Sequence, residues 1–341
     1  MPSPRLKIVL KSVGLFIAAV LVCGVIYEQI GRQRDQKRLP QIGRSVDIGG
    51  RTLNIYCSGT GSPTVVFEAA SGIGLEWQPV QAQVAKFTEA CWYDRAGMGW
   101  SETGPFPRTS AAIAEDLHEL LRRAGVSPPY VLVGFSFGGL PVRKYAGLYP
   151  DETAGMVLVD SAHEDESLRA PKFYLAHTAP QFLWRPLDLA VRTASLVGLF
   201  RMTQSSTGLS GKNLSQMSDE EVVAALRQEP KSLAAGISTG IVEPESYAEA
   251  GAVRDLGNLP LIVLTAGQSE DFHDQELNKQ AAAYQQIWIH EMQAKLARLS
   301  TRGRQILVEN SDHGIPSRAP DAVIAAIRDV VTEVRGERAR H

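Results

Sequence analysis

A serine, a histidine and a small set of carboxylates stand in this sequence where they could carry out acyl transfer. Ser136 lies in Gly134-Phe135-Ser136-Phe137-Gly138, after the apolar run Pro129 to Gly134 and before a helical segment that Pro150 ends. A serine at such a junction occupies a sharp strand-to-helix turn, so the residues two before and two after must be small. Gly134 and Gly138 meet that need. The hydroxyl then stands at the carboxyl edge of a sheet, beside the first free amides of a helix, whose dipole favours an oxyanion. His313 follows the last strand-like segment by five residues, in Ser311-Asp312-His313-Gly314-Ile315. An imidazole there can take the serine proton and return it to a leaving group. A carboxylate must hold that imidazole in its tautomer, and it must end a strand nearby.

Other candidates read as bland. His118, His163, His177, His273, His290 and His341 have no comparable placement and read as solvated side chains, with His163 and His177 the two that could line a pocket. Cys57 and Cys91 lie neither beside a base nor at a helix start, so neither is a nucleophile. No cluster has metal-ligand spacing, and Gly72-Ile73-Gly74 lacks the third glycine of a dinucleotide site. No cofactor or metal is implied.

The elements that must position these residues follow from pattern. Arg44 to Ile48 and Arg51 to Tyr56 alternate like strands around the hairpin signal Gly49-Gly50. Short apolar strands are expected at Pro63–Glu68, Cys91–Asp94, Pro129–Gly134, Gly155–Asp160, Leu259–Ala266 and Arg304–Val308. Helical spacing of Ile113, Leu117, Leu120 and Leu121, stopped by Gly125, gives one helix, and Ala283–Leu299 and Pro320–Val334 give two more. Strands without a polar face, alternating with helices, indicate a mostly parallel sheet covered on both sides. Residues 161–254 interrupt this pattern with no strand signal. They hold an apolar helix from Trp184 to Phe200 and a capping box, Ser218 with Glu221. The division is a core over 41–160 and 255–335 and a helical lid over 161–254.

At this point the chain resembles the α/β-hydrolase superfamily over about residues 41 to 335. The elbow, the insertion and the terminal histidine match it, as does Tyr93-Asp94-Arg95-Ala96-Gly97-Met98-Gly99-Trp100-Ser101, which is similar to the turn after the fourth strand. The resemblance implies an eight-stranded α/β-hydrolase fold with a lid, closest to capped esterases. It also implies the order serine, acid, histidine. Two places for the acid exist in such proteins. The end of the strand before the lid gives Asp160; the turn after the penultimate strand gives Asp271 or, one residue earlier, Glu270. Asp160 is favoured, with Asp271 and then Glu270 as alternatives. The oxyanion donors implied are the amides of Phe137 and of Ala70, the latter by aligning Glu68 with the histidine that relatives carry. The reaction implied is hydrolysis of an ester of a small to medium, largely apolar substrate, with Phe135, Phe137 and the Trp184–Phe200 helix walling the pocket. Amide or peptide cleavage and perhydrolysis on the same fold are the alternatives, and a non-catalytic binding protein is a further one.

The strand order of such sheets makes the second and fourth strands antiparallel neighbours. That order implies a Cys57–Cys91 disulfide and hence an oxidising compartment.

The first thirty residues stand apart. Arg5, Lys7 and Lys11 precede the uncharged run Ser12 to Tyr27, and from Ile8 the stretch is 20 residues, enough to cross a bilayer as a helix. No small-x-small cleavage site ends it, which favours an uncleaved anchor over a signal peptide. Residues 31–40 read as a linker. Three basic residues before the run and four after it leave orientation to the cysteines, which put the catalytic domain outside the cytoplasm. The composition of the whole 341-residue chain is that of a globular protein, 44% hydrophobic with a formal net charge of -2. Acids and bases are mixed, so no nucleic-acid surface is indicated. The partners expected are a small-molecule ester and a membrane.

Overall fold

Eight short strands with β-branched and aromatic residues form one sheet, and the helices between them cover both faces. The computed structural model describes residues 4–171, 180–203 and 212–338. The strands are β1 (Arg44–Asp47), β2 (Thr52–Ser58), β3 (Thr64–Glu68), β4 (Ala90–Tyr93), β5 (Tyr130–Phe135), β6 (Thr153–Val159), β7 (Leu261–Ala266) and β8 (Gly303–Val308). Their order is β1-β2-β4-β3-β5-β6-β7-β8, with β1–β2 and β2–β4 antiparallel and the rest parallel. This is the α/β-hydrolase fold that the sequence led us to expect.

Side chains alternate between the two faces, as a pleated strand requires. Val131, Val133, Val157, Val159, Ile262 and Leu264 meet α2 (Gln78–Val84) and the C-terminal helix Pro320–Arg338 on one side. Leu132, Met156, Leu158 and Val263 meet α3 (Ser110–Ala124) and α4 (Gly139–Leu148) on the other. Thr109 caps α3 by accepting from the Ala112 amide, and Gly125 ends it at φ 72°.

Between β6 and β7 the described residues hold helices and no strand. These are α5 (Glu166–Arg169), α6 (Trp184–Leu196), α7 (Leu199–Thr203), α8 (Asp219–Arg227), α9 (Pro230–Ile241) and α10 (Glu243–Gly251). The capping box opens α8: Ser218 Oγ accepts from the Glu221 amide at 3.2 Å, and Glu221 accepts from the Ser218 amide at 3.0 Å. After β7 come α11 (Gln275–Ile287), a π-helical turn Trp288–Gln293, and α12 (Ala294–Ala297). A short α13 (Ile315–Arg318) follows His313, and α14 is the C-terminal helix.

One expectation needs correction. The stretch 31–40 is not a loose linker, because a single helix, α1, runs from Pro4 to Arg38. No proline interrupts it before Pro40, and its polar end is held by charge. Glu28 and Asp35 both accept from Arg201 of α7, at 2.9 and 2.8 Å. Leu39, the next residue, is buried in the core.

Cys57 and Cys91 sit directly opposite each other on β2 and β4 and are joined by a disulfide. Their sequence separation of 34 residues makes this a moderately long loop to constrain. Chain entropy for such a loop contributes about 3–4 kcal/mol. Cys57→Ser with Cys91→Ser should therefore lower the melting temperature markedly. Denatured, unreduced protein should titrate one thiol, Cys23; three thiols would mean that the bridge does not form.

Candidate active site

β5 ends at Phe135 and the chain turns at once through Ser136–Gly138 into α4. Ser136 has φ 53°, the left-handed region that costs a side-chain-bearing residue about 1–3 kcal/mol. The glycines let the turn close. A Cβ on Gly134 would stand 2.7 Å from the Gly138 carbonyl oxygen, and one on Gly138 would stand 2.5 Å from that of Glu68. Strand and helix thus cross at backbone distance, which lifts the serine hydroxyl above the sheet edge.

Asp160 follows β6 directly, also at positive φ (41°), and its side chain is held by a dense set of donors. Oδ1 accepts from the Ala266 amide at 2.9 Å and from the Trp288 indole N–H at 2.8 Å. Oδ2 lies 2.7 Å from His313 Nδ1. His313 Nε2 lies 2.9 Å from Ser136 Oγ. The tautomer with its proton on Nδ1 satisfies both contacts. The His313 ring packs on Phe135 at 5.1 Å, and the Asp160 carboxylate is almost wholly buried. Burial presses the His313 pKa down, but the Asp160 hydrogen bond and charge outweigh it, so the net shift is upward.

Neither alternative acid replaces Asp160 in this network. Asp271 is exposed and accepts from the His273 amide and the Asn278 side chain in its own turn, which lowers its pKa. Glu270 lines the cavity with His313 and acts on it by charge alone.

Two cavities meet at Phe137 and Glu243. One, of about 260 Å³, holds Ser136, Asp160 and His313 with Tyr247, Tyr284, Trp288 and the carboxyls of Glu166 and Glu270. Burial pushes Glu166 up to about 7, and it accepts from the Tyr247 hydroxyl. The other, of about 440 Å³, holds Ala70 and Phe137 beside Met98, Leu233 and Ile237. The Trp184–Phe200 helix lines neither, contrary to expectation; α9 and α10 provide most of the insertion's share of the walls, with Ala162 and Glu166 added in the smaller cavity and Arg227 in the larger. Its own inward residues are polar and bind α9 instead, as described below. Phe135 also lines neither, being turned onto His313 and Trp77.

The other histidines divide by environment. His163 is fully buried, its pKa lowered to about 4 by burial, and lies outside both cavity walls; it is no solvated side chain. His118 stacks on Tyr149 at 3.9 Å, while His273 and His290 are exposed. His177 and His341 lie outside the described residues. Among those residues no group of His, Cys, Asp and Glu could hold a metal ion.

Sequence reasoning missed two supports. Trp288 was not singled out, because only the π-helical turn after α11 aims its indole at Asp160. Arg95 was read only as part of a turn. Its guanidinium, almost fully buried, pairs with Glu68 at 2.7 Å, donates to the carbonyls of Ala69 and Ala70, and covers the Phe137 ring. It thereby braces the loop that carries the Ala70 amide. Arg95→Leu leaves Glu68 buried without its cation, a loss of about 3–5 kcal/mol for a broken buried pair. The expected result is a lower melting temperature with slower turnover. Unchanged melting would show that the pair does not brace the loop.

A model of the alpha/beta hydrolase family matches residues 57–326. The chain belongs to that family. The match spans β2 to α14 and so includes every residue of the Ser136–His313–Asp160 chain. The uncharacterized protein YbdG of Bacillus subtilis is 30% identical over 158 residues, which is 46% of this chain and 49% of that protein. The aligned segment therefore spans about half of that relative. YqjL of the same organism is 26% identical over 274 residues, 80% of this chain and 85% of that one. Among solved structures, a thermophilic esterase from Thermogutta terrifontis superposes with a TM-score of 0.56 at 18% identity, covering 86% of this chain and 99% of the esterase. An enol-lactonase from Burkholderia xenovorans does so at 0.54 and 18% identity, over 85% and 100%. Both likenesses concern the fold of this alpha/beta hydrolase.

Proposed function

We propose that this hydrolase cleaves esters of small to medium, largely apolar substrates through a covalent acyl-enzyme, with no cofactor. The observation that carries the reading is the unbroken chain from Ser136 Oγ through the His313 ring to the Asp160 carboxylate. Ser136 attacks the ester carbonyl, and His313 takes its proton and returns it to the departing alcohol. Asp160 holds the ring and stabilises its cation. The amides of Phe137 and Ala70 receive the oxyanion, the first at a helix start and the second on the loop that Arg95 holds. Water then enters, and His313 activates it to release the acid.

Substrate size follows from the two cavities. The side bounded by Met98, Leu233 and Ile237 suits an apolar chain, and the smaller side, with its tyrosines and carboxyls, suits a more polar group. Residues 161–254 act as a lid, since α9 and α10 close both sides. α1 anchors the protein in a membrane: its apolar residues, from Leu6 to Tyr27, are exposed along a helix long enough to span. The Cys57–Cys91 bridge favours an oxidising compartment, so the catalytic domain lies outside the cytoplasm.

A fluorophosphonate probe tests the nucleophile, and a series of p-nitrophenyl esters of rising acyl length tests the substrate class. Label on Ser136 and turnover that rises with acyl length before falling are expected. No label on Ser136 would favour a non-catalytic binding protein on this fold.

A further inference from the structure

α6 is built inside out. A helix on a water-soluble domain buries its apolar stripe and exposes its polar one. Here the inward arc carries Asp188, Arg192 and Ser195, one and two turns apart. Asp188 accepts from the Ser238 hydroxyl of α9 and from Arg192 Nε, and Arg192 also donates to the Gly104 carbonyl at 2.8 Å. The outward arc, together with the turn Gln181–Leu183 before it and α7 after it, carries Phe182, Leu187, Leu189, Leu196, Leu199 and Met202. Phe182, Leu189 and Met202 are 78%, 67% and 70% exposed. So many large apolar side chains exposed on one short stretch, with the helix's polar groups turned inward, mark a surface that is not meant for water.

What covers it is indicated by its neighbour. α1 packs against the α6–α7 junction at backbone distance: a Cβ on Gly24 would stand 2.5 Å from the Val197 carbonyl oxygen. Gly198, at φ 72°, leaves room for the Tyr27 ring, where a Cβ would come within 2.9 Å. One turn further along α1, Glu28 is buried and paired with Arg201, and Asp35 takes the same guanidinium. The contact is therefore fixed by shape and by charge. Gly24 lies three residues inside the end of the apolar run at Tyr27, which is about 5 Å along a helix. That depth matches a helix lying in the boundary between headgroups and acyl chains, about 5–10 Å deep.

We infer that α6 and α7 form a membrane-contact surface, with the outward apolar arc seated in the lipid interface beside α1. The inference rests on the reading of α1 as a membrane anchor and extends it from a tether to a fixed orientation. Because α6 rests on α9, and α9 supplies Leu233 and Ile237 to the larger cavity, the apolar side of the cleft lies one helix away from the lipid. An apolar ester dissolved in the bilayer then has a short route to Ser136.

The test uses the full chain with Cys23→Ser and one new cysteine at a time, carrying an environment-sensitive nitrobenzoxadiazole label. The positions are Leu189→Cys on the outward arc, Phe16→Cys within α1, and Lys86→Cys, exposed just before β4 at the far edge of the sheet. The protein is reconstituted in phosphatidylcholine vesicles with and without doxyl-labelled lipid. Expected is quenching at residue 189 several-fold stronger than at 86 and comparable to that at 16. Quenching at 16 with none at 189 beyond the level of 86 would overturn the surface while leaving the anchor. Absence of quenching at 16 would overturn the anchor itself and the inference with it. A blue-shifted but unquenched label at 189 would also overturn it, since the arc would then be covered by protein, such as a second copy of the chain.

Discussion

Turnover of a p-nitrophenyl ester should fall by about 10⁴-fold or more in Ser136→Ala and equally in His313→Ala, with no further loss when the two are combined. The non-additivity follows from the geometry. His313 Nε2 has its use only when it faces Ser136 Oγ, 2.9 Å away, so removing either partner removes the same step. What should survive is binding and the proposed oxyanion donors, which lie on the backbone and are untouched by either change. The fold should also survive. Alanine at 136 keeps the same positive φ and the same strained turn, and His313 is only half-buried and packs on one ring, Phe135. Melting temperatures close to that of the parent protein are therefore part of the expected result. If His313→Ala kept near-parental turnover with its fold intact, the base would have to be another group in the cavity.

Much of this site was legible because backbone constraints write themselves into sequence. Gly134 and Gly138 are required by a crossing that leaves no room for a Cβ, and such positions can be read one residue at a time. The core strands could be read because each is buried on both faces and so is a run of Val, Leu and Ile. The acid could not be read in the same way. Asp160, Glu270 and Asp271 all follow a strand, and only the hydrogen bonds from Ala266 and Trp288, far apart in sequence, distinguish the first. Arg95 and α6 escaped for a related reason. A buried arginine looks like any turn arginine until Glu68 is found beside it. The apolar residues of α6 suggested a pocket wall, because composition alone does not say which arc of a helix faces inward. The polar end of α1 hides its order behind its charge: residues 31–40 read as a linker, but Asp35 within them and Glu28 just before them are anchored by Arg201, more than 160 positions later.

Asp160→Asn should cost about as much as loss of the base, on the order of 10⁴-fold, although the side chain keeps its size. Two donors fix how an asparagine would sit. The Ala266 amide and the Trp288 indole both point at Oδ1, so the amide oxygen must occupy that position and its NH₂ must face His313. That NH₂ can only donate. His313 Nδ1 then becomes the acceptor, the ring proton moves to Nε2, and Nε2 can no longer accept the proton of Ser136. The pH profile gives an independent reading. The proposed mechanism needs neutral His313, and Asp160 raises its pKa above the ordinary 6.5, so parental activity should be lost as pH falls through a midpoint above 6.5. In Asp160→Asn the carboxylate's upward influence is gone while burial still favours the neutral ring, so the residual activity should persist to lower pH. Asp271→Asn should do neither, because that side chain bonds only within its own exposed turn among the described contacts. Equal and moderate losses in the two asparagine variants, with the midpoint unmoved in both, would remove Asp160 from its role and point to Glu270, the third of the strand-end carboxylates, which shares the cavity with His313.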